Sequence, residues 1–174
     1  MRYTQKVLGL LGEQDPLQVM QRTVSALRST LADLTPNALL QPEAEGKWSI
    51  LEVVQHMADT EMVYGYRLRL ALTLDSPPFN RFDQQAWASR FHYSQAPAPQ
   101  ALDQMEALRR PNLRILHDLQ PGDLQRIGIH SNRGPEDVGQ MMRLWAGHDL
   151  VHLAQIDRIR KRVSRQDAKS AKPI

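Results

Sequence analysis

The chain has 174 residues, 41% of them hydrophobic and 24% charged, a size and balance that fit one globular domain and exclude a fibrous or wholly disordered protein. It has no cysteine, which excludes disulfides, thiolate zinc sites, iron–sulfur ligation and a cysteine nucleophile, so any metal must be held by imidazole or oxygen. The net charge of +3 belongs to the C-terminal end: residues 158–174 hold seven basic residues against Asp167, and the remainder is mildly acidic, with 15 basic and 18 acidic residues.

No apolar run approaches the roughly 18 residues of a membrane span. The stretch from Val7 to Leu11 is too short for a signal-peptide core, so the expected location is the cytoplasm. The first predicted helix opens at Asp15-Pro16, where the aspartate can cap and the proline sits in the first turn without losing a needed N–H. Leu17, Met20, Val24, Leu27, Leu31 and Leu34 then recur in steps of three and four, the pattern of a bundle seam. Thr35-Pro36 ends this helix and opens a short turn of another, followed by a loop through Pro42 and Gly46. A second long helix begins at Ser49, with Glu52 completing a capping box, and runs to about Leu74, where Asp75-Ser76-Pro77-Pro78 stops it.

Residues 75–98 form a long connection rich in aromatics, with a short helix from Asp83. Such length suits a crossover or a functional cover, and a crossover would leave the second and third long helices parallel. The third helix follows Pro99, turns Leu102, Met105, Leu113, Leu116 and Leu119 inward, and should kink at Pro111. After a glycine-marked loop, in which Ile127-Gly128-Ile129 suits a scrap of extended structure, a fourth helix is expected from about Glu136 to Val163. The expected organisation is one helical domain over residues 1–163 and a basic, disordered tail over 164–174. A solvated tail is the commoner role for such a charge run, and nucleic-acid binding is not expected.

The inward stripe of the fourth helix reads Val138, Met141, Trp145, His148, His152, Gln155 and Ile159, so polar residues interrupt an apolar seam at its centre. His148 and His152 stand four apart, on one face and about 6 Å apart along the axis, a spacing that lets both reach one ion. Asp149 replaces the glutamate that a zinc-protease helix would carry, so a third ligand must come from another element. His56, on the stripe Val53, His56, Thr60 and Val63 of the second long helix, is the candidate. A lone histidine on such a stripe is more often a hydrogen-bonded core residue; two at the centre of a seam are harder to bury without a shared partner. Three imidazoles suit zinc, nickel, iron or cobalt. A ferritin-like di-iron site would need Glu-x-x-His on two helices, and the bundle oxygen carriers need a His-x-x-x-Glu where Thr60 stands four after His56; both are rejected.

Two segments resemble the signatures of the DinB/YfiT-like metalloenzymes: Gly46-Lys47-Trp48-Ser49-Ile50-Leu51-Glu52-Val53-Val54-Gln55-His56-Met57-Ala58-Asp59, and Trp145-Ala146-Gly147-His148-Asp149-Leu150-Val151-His152-Leu153-Ala154-Gln155-Ile156. The resemblance covers nearly the whole chain. It implies an all-α four-helix bundle of up-down-down-up topology, commonly a homodimer, with one nickel or zinc ion on His56, His148 and His152. Asp59, Asp149 and Gln155 are then candidates for orienting ring nitrogens or taking a proton. Relatives of this kind include metal-dependent hydrolases and enzymes that use a small thiol such as bacillithiol or mycothiol. The expected function is therefore a metal-dependent enzyme acting on a small molecule, as a hydrolase or as a thiol-dependent transferase or isomerase, in a pocket covered by the 75–98 connection. The alternative is a non-catalytic, stress-related dimer in which the ion only pins two helices. Tyr64, Tyr66 and Arg67 are placed to reach the pocket mouth, and no role is assigned to His92, His117 or His130.

Overall fold

The computed structural model describes residues 3–170, and the side chains of residues 3–166. Helix α1 (Tyr3–Leu11) was not expected, because its apolar run is short; it exists by docking on the last helix. Helix α2 (Pro16–Ala32) begins where anticipated, with Asp15 Oδ1 accepting the Leu17 N–H at 3.0 Å. The short α3 (Pro36–Leu39) is capped by Thr35. Helix α4 (Ile50–Thr73) opens on the full capping box: Ser49 Oγ accepts the Glu52 N–H at 3.3 Å and Glu52 Oε2 accepts the Ser49 N–H at 2.8 Å. In the connection that follows, strand β1 (Pro78–Phe79) precedes α5 (Gln84–Arg90), whose first amides are held by Asp83. Helix α6 (Ala98–His117) continues through Pro111.

The glycine-rich segment then folds as a hairpin of β2 (Ile127–His130) and β3 (Gly134–Asp137), which leads directly into α7 (Val138–Ser170). The last helix therefore runs past the expected end at Val163; residues 171–174 of the anticipated tail lie outside the described residues. Strand β1 pairs in parallel with β2, Pro78 opposite Ile129 and Phe79 opposite His130, so the connection is stitched to the hairpin. Gly128 makes this possible: a β-carbon there would fall 2.1 Å from Phe79 Cζ, and only a bare backbone lets the Phe79 ring lie across the strand.

Side-chain pairs give the direction of each long helix. Arg28 of α2 bonds Asp103 and Glu106 of α6, while Met20 accepts from Arg109, so α2 and α6 are antiparallel. Asp59 meets Gln104, Glu61 meets Arg109 and Arg69 meets Asn112, so α4 and α6 are parallel. His56 faces His148 and Glu61 faces Trp145, so α4 and α7 are antiparallel. The bundle is up-down-down-up, and residues 74–97 are the crossover that this topology requires.

Two apolar clusters fill the bundle, one around Leu27, Ile50, Met57, Met105 and Ile159, the other around Met20, Leu68, Leu116, Met141 and Trp145. Between them lies a buried ionic knot. Arg109 donates to Glu61 Oε2 at 2.8 Å, to Asp149 Oδ2 at 2.7 Å and to the Met20 carbonyl at 2.9 Å; Asn112 and Trp145 complete the partners of Glu61. Burial opposes charge on the guanidinium, but Asp149 and Glu61 outweigh it and hold the Arg109 pKa above its ordinary value. One side chain thus ties all four long helices at the level just below the site.

Candidate metal centre

His56, His148 and His152 come together between α4 and α7, each offering a ring nitrogen within 4.8 Å of the other two. The Nε2 atoms of His56 and His148 are 3.0 Å apart, and the ring centroids of His148 and His152 are separated by 4.4 Å. All three are buried, with exposures of 2%, 7% and 7%. Gln155 Oε1 lies 2.9 Å from His152 Nδ1, one turn further along α7, and so takes that ring's N–H and leaves Nε2 as its lone-pair nitrogen. Thr60 Oγ1 is 3.5 Å from His56 Nε2, and Trp48 packs against the His56 ring with centroids 4.9 Å apart.

Burial dominates the electrostatics of this cluster. It lowers the His56 pKa to about 3, with the charge of His152 adding to the effect, and it pushes His148 well below the ordinary value. His152 is lowered too, again chiefly by desolvation. The rings are therefore neutral near pH 7 and each keeps an unprotonated nitrogen, the state a metal needs. Two imidazole nitrogens on one tetrahedral ion, each at about 2.0–2.1 Å, stand roughly 3.3 Å apart. The spacing found, 3.0 Å, is within a small ring rotation of that. His56 Nδ1 is buried with no hydrogen-bond partner, so this corner gains little from protein contacts alone. The donor set, the neutrality and the convergence all fit one divalent cation.

The imidazoles form the floor of a pocket of about 690 Å³. Its walls come from the capping loop of α4 (Lys47, Trp48), from the crossover (Arg81, Phe82, Gln85) and from the hairpin (His130, Asn132, Arg133). Tyr64 and Arg67, anticipated at the mouth, line it; Tyr66 is 63% exposed on the outside of α4 and does not.

The two aspartates are placed differently from expectation. Asp149 is 1% exposed and its carboxylate is bound by Arg109 of α6, so it orients no ring nitrogen. Asp59 accepts from Tyr93 at 2.5 Å and from Gln104 at 3.0 Å, which ties the crossover and α6 to α4 and leaves its carboxylate bonded to none of the three histidines. Of the three orienting candidates, Gln155 alone touches a ring of the cluster. His92 and His117 stay outside the pocket, whereas His130 belongs to it. Alternation in Ile127-Gly128-Ile129-His130 was the signal available for His130: as a strand it turns residues 128 and 130 inward, and both are buried.

Residues 20–156 match the family model described as the DinB superfamily. A protein of Oceanobacillus iheyensis named "Putative metal-dependent hydrolase" is 32% identical over 136 residues, which cover 78% of both chains. A protein of the same name from Bacillus mycoides is 26% identical over 148 residues, 85% of each. Among solved structures, YfiT from Bacillus subtilis, described as "a probable metal-dependent hydrolase with an unusual four-helix bundle topology", matches with a TM-score of 0.82 over 86% of both chains at 23% identity, a likeness that bears on the fold.

Proposed function

Because this chain belongs to the DinB superfamily, we propose that it is a metal-dependent hydrolase of a small molecule, with one nickel or zinc ion on His56, His148 and His152. One observation carries the reading: three neutral, buried imidazoles from two helices converge at the floor of a pocket large enough for a small substrate, with no carboxylate among them. A purely structural ion needs no such opening, so the pocket favours catalysis over the pinning role that remained as an alternative. The names carried by the relatives from Oceanobacillus iheyensis and Bacillus mycoides support hydrolysis over thiol transfer.

A divalent ion in this position supplies Lewis acidity toward a carbonyl oxygen and acidifies water. The protein's part is to hold the three rings and shape the space above them. Gln155 fixes the tautomer and tilt of His152. The Asp149 to Arg109 ion pair anchors α7 one residue past His148, so the position of the two α7 ligands is fixed relative to α6. Trp48 and Phe82, flanking His56 with ring centroids at 4.9 and 6.3 Å, keep bulk water off that side of the cluster.

Elemental analysis of untagged protein should find one equivalent of a divalent transition metal, reduced to background in His148→Ala, together with ester or amide hydrolysis that a chelator abolishes and added metal restores. Retention of stoichiometric metal in the variant would remove the assignment of ligands. Turnover that appears only on adding a low-molecular-weight thiol would redirect the reading to group transfer.

A further inference from the structure

We infer that the same pocket carries a second recognition point, an anion cradle formed by Arg67, Tyr64 and His130, so that the substrate of the proposed hydrolase bears a carboxylate or phosphate group away from the bond it loses. The word substrate rests on the reading above; the cradle itself stands on geometry that involves no metal.

Arg67 is the central observation. Its side chain is only 5% exposed, yet among the described residues no carboxylate pairs with it. Its one protein acceptor is the Asn80 carbonyl, 2.5 Å from Nη2, and the rings of Tyr64 and Phe79 lie at 5.9 and 5.8 Å from the guanidinium carbon. None of its nitrogens is sealed in the protein without a partner, so the remaining N–H groups open into the pocket that Arg67 lines. A guanidinium this buried is costly unless an anion answers it, and here the open side is where the answer would come from. Burial lowers its pKa, as expected of a cation short of compensation.

The two neighbours present neutral donors. His130 Nδ1 accepts the Asn132 backbone N–H at 3.1 Å, which places the ring proton on Nε2. That Nε2 makes no bond within the protein and is not sealed off, so it faces the pocket as a donor. Desolvation, with Arg133 and Arg67 adding to it, lowers the pKa of His130 to about 4, and burial raises that of Tyr64, so both keep neutral donor forms near pH 7. Tyr64 is held by its stack on Trp145, 5.1 Å between centroids and 12° from coplanar. The nearby carboxylate, Glu136, is already bound by Arg133 at 2.6 Å, and the two charges cancel. Asp83, at the rim, is occupied in capping α5. Arg67 therefore remains the buried charge without a counter-ion at this end of the pocket, while Arg81, also without an ion pair among the described residues, lies exposed at the rim.

His56, Thr60, Tyr64 and Arg67 follow one face of α4, and eleven residues separate the first from the last, roughly 16 Å of axis. Side chains of both residues lean toward the N-terminus of α4, but the longer arginine reaches further back than the imidazole of His56 and so shortens that gap. The ligand that fits is a small molecule with its anionic group several bonds from the reacting carbonyl or ester.

Calorimetric titration of the full chain in low-chloride buffer tests this, with inorganic phosphate and with glutarate as separate probes, before and after treatment with EDTA. One-to-one binding of at least one probe that survives chelation is expected, weakened tenfold or more in Arg67→Gln and at least threefold in Tyr64→Phe; which probe binds identifies phosphate or carboxylate. Absence of binding, binding lost on chelation, or binding indifferent to both substitutions would overturn the cradle. Should Arg67→Gln fail to fold, Tyr64→Phe decides alone, since it removes one oxygen and keeps the stacked ring. A separate arm compares metal-loaded protein on the mono-p-nitrophenyl ester of glutarate and on p-nitrophenyl butyrate, with a tenfold or greater kcat/KM preference for the first expected, mostly through KM. Cleavage of neither ester alongside intact anion binding would count against the hydrolase and leave the cradle standing, while equal cleavage would count against the cradle.

Discussion

Gln155 sits one turn beyond His152 and accepts from its ring, which makes it the residue that converts a mobile imidazole into a fixed donor. Its replacement by alanine should lower metal affinity about 10- to 100-fold with the fold intact, measured by competition with a chromophoric chelator. The three histidines were legible because steps of four on α7 and the α4 stripe both point inward, and helical periodicity reports facing directly. The two aspartates were not. Asp149 follows His148 in the chain, but one residue is about 100° of helix rotation, which carries its carboxylate onto Arg109 and leaves it an electrostatic neighbour of His152 rather than a hydrogen-bond partner. Arg67 was noticed for its position only, since nothing in a linear pattern tells that a buried cation will find no acid.

At the level of elements, helix starts were the most readable feature, because Asp15, Thr35, Ser49 and Asp83 each supply the capping oxygen that local chemistry demands. Helix α1 was missed because what holds it is tertiary. Gly147 of α7 lets it approach so closely that a β-carbon there would come within 2.5 Å of the Val7 carbonyl oxygen. Gly147→Val should therefore detach α1 and expose its amides to hydrogen exchange while the four long helices persist. The ionic knot makes the opposite kind of prediction. Arg109→Ala leaves Glu61 and Asp149 buried without their cation and should cost about 3–5 kcal/mol in urea denaturation. Arg109→Met, which removes the charge and keeps the stem, should be nearly as damaging, because both carboxylates would still be stranded.

For the whole molecule, the up-down-down-up arrangement could be anticipated from the length of the crossover and from family likeness, whereas the small sheet could not. A two-residue strand paired with another some fifty positions away leaves no local pattern. The buried histidines give the metal-free protein a definite acid response. Unfolded, these rings take a proton near pH 6.5; folded, His130 does so only near 4 and His56 near 3. Below 6.5 the unfolded chain thus binds more protons, so stability is full above that pH and is lost as the pH falls toward 4 and then 3. Thermal melts in EDTA across pH 4–7.5 should follow that slope, and His130→Asn should flatten its upper part. The stitching of the crossover has one more consequence. Its near end is tied by the β1–β2 ladder, by Asn80 to Arg67 and by the Arg81 amide to Ser131, and its far end by Tyr93 to Asp59. A segment fastened at both ends is a window frame and not a door, so entry to the pocket is expected to be sorted by the size of the molecule and not timed by the opening of a hinge.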